Sequence, residues 1–322
     1  MRRFLLIQTA FLGDVILATP VLSELKRIYP DARIDIVVRK GNEQLLANNP
    51  HLHTLYIWDK KEGKYRSLFK LIKALRKNNY HEIITLQRYS SAALITLFVH
   101  SKKKIGFSTS SWSWVYTMTV PHSLQEGQHE VTRNLSTIQH HGAKGLARPK
   151  LFPSREDFEH VSHLKTKSYF CLAPASVWYT KQLPKVKWIE LVDELLGKGN
   201  IYLLGAPGDE ELCKAIATNR EECTVLAGKL TLLQSAALMR DAQMNYVNDS
   251  GPLHIASAMN APVRAFFCST VPQFGFGPLS EDSKVIEPAS AIPCRPCGNH
   301  GHKACPQGHF KCGNEIDIPS FS

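Results

Sequence analysis

The sequence has 322 residues, and no apolar run in it approaches the roughly 20 residues needed to span a bilayer. That argues against a membrane-spanning helix. No Gly-x-Gly-x-x-Gly follows an apolar run and no Walker sequence is present, which argues against the ordinary dinucleotide and ATPase readings. No internal repeat and no low-complexity tract stands out, so solenoids and disordered linkers drop away. The aromatics are not interleaved with the basic runs, and no known nucleic-acid module is visible, which counts against a nucleic-acid binder. Acids are scarce relative to bases: 28 against 39, a formal net charge of +11. A protein of one charge excess expects an anionic partner or a solvated basic surface.

The chain is 43% hydrophobic and 21% charged, the balance of a globular protein. Its length suits two domains of ordinary size. Met1-Arg2-Arg3 followed by Phe4-Leu5-Leu6-Ile7 imitates a secretory signal, but Gln8 and Asp14 interrupt it and helical spacing continues through Leu25. A buried first strand and a helix explain this better, and we expect a cytoplasmic protein.

Short β-branched runs alternate with helical patterns. Phe4 to Gln8, Ile34 to Val38, Leu55 to Ile57, Ile83 to Leu86 and Lys104 to Phe107 read as strands. Between them lie helical stretches at Val15 to Ile28, Asn42 to Asn48, Tyr65 to Asn78 and Ser91 to Val99. Pro149 to Lys167 breaks the rhythm and reads as a linker. The alternation restarts with strands at Tyr169 to Ala173, Ile201 to Leu204, Thr224 to Leu226, Asn245 to Asn248 and Val263 to Phe267. This pattern predicts an α/β protein with two doubly wound domains, residues 1–155 and 165–322. Ligands of such sheets bind at the carboxyl ends of strands, so the loops after Gln8, Ala173, Leu204 and Asn248 are the places to look.

Four of those loops carry candidate chemistry. Gly13-Asp14 lies at a turn into a helix: Asp14 is either a helix cap or a general base for an attacking hydroxyl. Asp249-Ser250-Gly251 precedes Pro252 at a helix start, where free N–H groups suit a phosphate, or it is an ordinary capped helix. Ser176 and Lys181 follow the Tyr169 strand. Lys181 could offset the charge of a departing diphosphate, or be a surface lysine. Asp209 and Glu210 could accept hydrogen bonds from ribose hydroxyls, or cap the helix behind them.

Of eight cysteines, Cys171, Cys213, Cys223 and Cys268 read as reduced core residues. Cys294, Cys297, Cys305 and Cys312 form a cluster whose first pair has zinc-knuckle spacing, with His300, His302 and His309 nearby. A disulfide is disfavoured in the cytosol. We place a reduced, loop-ordering cluster ahead of zinc.

Taken together, Gly13 to Pro20, Ile201 to Gly205 and Asn248 to Ala256 resemble glycosyltransferase family 9, the ADP-heptose:lipopolysaccharide heptosyltransferases. The likeness covers nearly the whole chain. It implies a GT-B fold, two Rossmann-like domains facing a cleft, with acceptor on the first and ADP-heptose on the second. It implies inversion at the anomeric carbon without a metal or other cofactor. Asp14, beside Gly13 on the acceptor side, falls at the family's catalytic carboxylate. Ser176 and Lys181 fall at its diphosphate contacts, and Asp249, Ser250 and Gly251 at its donor turn; Asp209 or Glu210 could match its ribose acid. Members labelled heptosyltransferase II carry a similar Cys-x-Pro-Cys…Cys-Pro segment, matched by Cys294 to Cys297 and Cys305-Pro306. The expected partners are ADP-heptose and the lipopolysaccharide core–lipid A acceptor, reached by peripheral contact at the cytoplasmic face of the inner membrane. Two alternatives stay open: a family member with another sugar or acceptor, and a basic four-cysteine nucleic-acid-binding protein.

Overall fold

The computed structural model describes residues 1–61, 63–124 and 127–320. The chain forms two compact units, Met1–Phe152 and Pro153–Ser322. In the first, strands β1 (Arg3–Ile7), β2 (Arg33–Arg39), β3 (Thr54–Trp58), β4 (Tyr80–Thr85), β5 (Ser101–Phe107) and β6 (Met118–Val120) form one parallel sheet in the order β3-β2-β1-β4-β5-β6. Its helices are α1 (Leu12–Ile28), α2 (Lys64–Leu75), α3 (Ser90–Phe98) and α4 (Glu130–Ser136). Phe4 to Ile7 are fully buried because β1 is central and covered on both faces, so its sequence is a continuous apolar run.

The second unit repeats the plan. Helices α5 (Arg155–His160), α6 (Lys185–Leu195), α7 (Glu210–Ala217), α8 (Leu232–Arg240), α9 (Gly251–Met259) and α10 (Lys311–Asn314) accompany strands β7 (Tyr169–Ala173), β8 (Asn200–Leu203), β9 (Cys223–Val225), β10 (Met244–Asn248), β11 (Val263–Phe266) and β12 (Ser283–Ile286). These strands run parallel in the order β12-β11-β10-β7-β8-β9. Read from the other edge, this is the same winding as in the first unit. In each sheet the order reverses beside the first strand: between β1 and β4, and between β7 and β10. A ligand is expected at the carboxyl ends of those pairs.

α1 contains Pro20, which has no N–H to give the Ile16 carbonyl. Thr19 Oγ1 donates to that carbonyl at 2.7 Å and accepts from the Lys150 N–H at 3.0 Å. The Thr19-Pro20 pair thus repairs its own gap and ties down the end of the first unit.

The elements that escaped the sequence reading include α5, β6, β12 and α4. The stretch read as a linker holds α5, capped by Ser154 and Asp157 in a reciprocal box. It has almost no apolar stripe; Arg240 and Lys165 instead sit over its Phe158 ring, at 3.9 and 5.3 Å. β6 and β12 are three and four residues long, too short to show a period. α4 buries an ionic cluster where a helix usually buries aliphatics. Its Glu130 lies 2.8 Å from Arg133 and 3.3 Å from His122, all within the interior.

Candidate functional site

In the first unit the β1 strand ends at Ile7, and a short loop leads into α1. Four side chains pin that loop. Gln8 Oε1 accepts from the Ala10 N–H at 3.3 Å, and Thr9 Oγ1 donates to Gln87 Oε1 at 2.5 Å. Asn42 Nδ2 donates to the Ala10 carbonyl at 2.9 Å, and Lys60 Nζ to the Thr9 carbonyl at 3.3 Å. Gln8, Asn42, Lys60 and Gln87 follow the carboxyl ends of β1, β2, β3 and β4 in turn. The sequence reading did not single them out as site residues. Their signal was a polar residue soon after each strand.

The helix cap is Phe11, not Asp14, and it makes no side-chain cap bond. Asp14 lies inside the first turn, half-buried, where the helix dipole favours an anion. Gly13 has helical conformation, so it supplies no special turn, contrary to expectation. A residue without a side chain at that point keeps the first turn of α1 slim beside Asp14. The arrangement places one carboxylate at the sheet's reversal point, in the first helical turn after a loop fixed by neighbouring strands. Arg39 lies over the exposed Phe11 ring, 4.8 Å from its centre.

In the second unit, the residues after β7 and β10 meet. Lys181 Nζ lies 2.6 Å from Asp249 Oδ2, and Thr270 Oγ1 donates to the same oxygen at 2.6 Å. Asn248 binds both neighbours: its Nδ2 donates to the Pro174 carbonyl at 2.8 Å and its Oδ1 accepts from the Leu183 N–H at 2.9 Å. So Lys181 and the Asp249 turn, two separate sites in the sequence, form one. Ser250 stands at the cap of α9 in extended conformation, with no side-chain cap bond, and Gly251 and Pro252 open the helix. Its first turn therefore presents the positive end of the helix beside the Lys181–Asp249 pair. Ser176 is half-buried in the same loop, and its carbonyl accepts from Gln182 Nε2 at 2.7 Å.

Asp209 and Glu210 each make a local contact after β8. Asp209 Oδ2 accepts from the Ala206 N–H at 2.7 Å, closing the turn after β8. Glu210 pairs with Lys214 at 3.0 Å, one helical turn on, and that hydrogen bond holds its carboxyl below the usual range.

The cysteine-rich segment is built into the support of this site. Arg295 Nε donates to the Cys268 carbonyl at 2.6 Å; its Nη2 reaches the carbonyls of Phe267 (3.0 Å) and Thr270 (2.7 Å) and Glu287 Oε1 (2.5 Å). The His302 N–H donates to Thr180 Oγ1 at 2.8 Å, and the Thr180 N–H to the His302 carbonyl at 3.1 Å. Gly301, at φ +77°, packs so close that a Cβ would lie 2.9 Å from Lys181 Cγ. Cys312 is buried in the core of the unit, with Cys294 and Cys305 packed against it. Burial, then the neighbouring sulfurs of Cys305 and Cys294, pushes the Cys312 thiol up to about 11. Cys294 Sγ lies 3.9 Å from His309 Nε2.

Among the described residues, the group of potential metal-ligand atoms gathered within 4.8 Å of one another is Glu82, His140 and His141, not the cysteines. Glu82 Oε2 is 2.8 Å from His141 Nε2, and Lys103 is 3.9 Å from Oε1. That cluster lies toward the amino end of β4, away from the edge that carries Asp14.

A profile of glycosyltransferase family 9 (heptosyltransferase) matches residues 68–306. The lipopolysaccharide heptosyltransferase 3 of Escherichia coli K12 is 30% identical over 278 residues, covering 80% of each chain. A second Escherichia coli heptosyltransferase 3 is 29% identical, covering 81% of this chain and 82% of its own. The structure of Escherichia coli ADP-heptose lps heptosyltransferase II superimposes with a TM-score of 0.79 at 22% identity, covering 98% of both chains, which gives the GT-B fold. With its two identically wound units and the matched profile, the chain belongs to glycosyltransferase family 9 (heptosyltransferase) and is a glycosyltransferase.

Proposed function

We propose that this enzyme moves a heptose from ADP-heptose to the inner core of lipopolysaccharide, with inversion at the anomeric carbon and without a catalytic metal. The observation that carries the reading is the Lys181–Asp249 pair at the start of α9, at the reversal point of a sheet in a family 9 chain. A leaving nucleoside diphosphate gains negative charge as its bond to the sugar breaks. An ammonium group and a helix N-terminus stabilise that charge. Asp249 then acts chiefly by aiming Lys181: one N–H of the ammonium serves the carboxylate, and the others remain for phosphate oxygens. Ser176, Ser250 and Gly251 let the diphosphate approach the backbone. The base is Asp14. It takes the proton of the acceptor hydroxyl as that oxygen bonds to the anomeric carbon, while the carbon–oxygen bond to ADP breaks on the opposite face. A single carboxylate suffices, because a direct displacement needs one base.

The cysteine segment supports a heptosyltransferase II-like acceptor, whereas the 30% and 29% identities are to heptosyltransferases 3. We take the II-like reading, with the enzyme working peripherally at the cytoplasmic face of the inner membrane. No helix among the described residues is long and apolar enough to cross a membrane. The test is ADP release from ADP-heptose with truncated cores carrying no, one or two heptoses, in the presence of a chelator. Release with a single-heptose core, unaffected by chelation and giving the inverted anomer, is expected. No release with any core would refute the heptose reading, and release restored only by added metal would refute the metal-free mechanism.

A further inference from the structure

α2 turns two different faces outward and inward. Leu68, Leu71, Ile72 and Leu75 are buried against the first unit. On the outside, Tyr65 and Phe69 are 63% and 62% exposed, one turn apart, with Arg66, Lys70 and Lys73 exposed beside them. The sequence reading held that aromatics and bases do not interleave; on this face they do. No acid occurs from Lys64 to His81. The contrast with the second unit is direct. There, lysines on or just past helices pair with acids three or four residues away, as Lys187 with Glu190, Lys198 with Glu194 and Lys214 with Glu210. None of the ion pairs among the described residues takes up Arg66, Lys70 or Lys73. Two exposed aromatic rings within a basic stripe make a surface of the kind that marks an interaction site.

We infer that the outer face of α2 docks on an anionic phospholipid surface, with the Tyr65 and Phe69 rings entering the headgroup layer and Arg66, Lys70 and Lys73 meeting lipid phosphates. A surface-lying amphipathic helix with a basic polar flank has this composition. Long lysine and arginine stems lie along the apolar boundary while their charged ends reach the phosphates. A binder of single-stranded nucleic acid would instead need a basic groove that tracks a backbone, and a helix face is convex. The inference deepens the proposed function and rests on it for its purpose, since a lipid-anchored acceptor must be met at a membrane. α2 begins at the carboxyl edge of its parallel sheet, the edge that carries Asp14, so docking there brings that edge toward the lipid.

The test uses sedimentation of the full chain with vesicles of phosphatidylcholine alone and of phosphatidylcholine mixed with phosphatidylglycerol. Wild type is expected to bind the mixed vesicles, more weakly as salt rises. Two variants separate the contributions: Tyr65→Ser with Phe69→Ser, and Arg66→Glu with Lys70→Glu and Lys73→Glu. Each cation near an anionic surface is worth roughly fivefold in affinity, so the second variant should lose more than about tenfold. Both should keep the wild-type melting temperature and the wild-type rate on a lipid-free truncated core. Wild type that fails to sediment with mixed vesicles overturns the inference. So do variants that bind as wild type does, or a single-stranded RNA oligomer that displaces the vesicles and loses affinity in both variants. If no core is turned over at all, the proposed function fails, and the vesicle result still decides the surface.

Discussion

The carboxyl edges of the two sheets share a winding and differ in how they are fitted. In the first unit the loop before Asp14 is held by three amide side chains, Gln8, Asn42 and Gln87, and by one cation, Lys60. In the second, position is fixed by charge: Lys181 against Asp249, and Arg295 against Glu287 and three carbonyls. The difference follows the work proposed for each. A base needs a rigid support that keeps its carboxylate in one place. A diphosphate site must hold a cation in one place in the absence of ligand, and a buried acid does that. The surfaces differ in the same sense: exposed aromatics such as Phe11, Tyr65, Phe69, Tyr89 and Trp114 lie on the first unit, whereas among the described residues Tyr179 is the comparable ring on the second.

The largest effect should come from the first edge. Asp14→Ala is expected to slow transfer by roughly 100- to 10,000-fold, the usual worth of a general base, with donor affinity and melting temperature unchanged. A turnover assay with donor titration would show it, and a near-normal rate would erase the proposed division between the edges. The next tests the charge-held edge. Lys181→Ala should weaken the hold on ADP-heptose by roughly ten- to a hundredfold, the range of a charge-assisted hydrogen bond. If Asp249 acts by aiming that lysine, Asp249→Asn should cost much less in the Lys181→Ala background than in wild type; additive losses would give Asp249 an independent contact.

The smallest effect concerns the buried ions of α4. Burial opposes ionisation of Glu130, but the hydrogen bond from His122 and the charge of Arg133 outweigh it and hold its carboxyl below the usual 4.5. Its stabilisation is therefore complete above pH 4.5 and is lost as pH falls toward its lowered value in the folded protein. Melting temperatures of wild type and Glu130→Gln should differ near neutrality and converge on acidification. A constant gap would mean that the cluster does not titrate in this way.

Much of this was legible along the chain. The strands β1 and β7 are short apolar runs, and the helices behind β7 and β10 begin after Pro184 and at Gly251, so the alternation follows from period and punctuation. Asp14, Lys181 and the Asp249 turn could be named because they sit just past strands. Where local pattern was weak, the reading failed: α5 is held by cations on Phe158, and α4 by an ionic cluster, neither of which leaves an apolar stripe.

The sequence by itself determined the α/β class and the run of alternating strands and helices, because hydrophobic period and turn residues act over a few neighbours. Only the tertiary structure decided which of those residues meet. Lys181 and Asp249 are 68 positions apart and become a 2.6 Å pair because β7 and β10 lie side by side. Asp209 and Glu210 turn to local capping and pairing. Gly301, in the cysteine-rich segment, packs against Lys181, and Arg295 of the same segment holds the carbonyls of Phe267, Cys268 and Thr270. Such contacts depend on strand order and on the free energy of packing distant segments together, which no local pattern encodes.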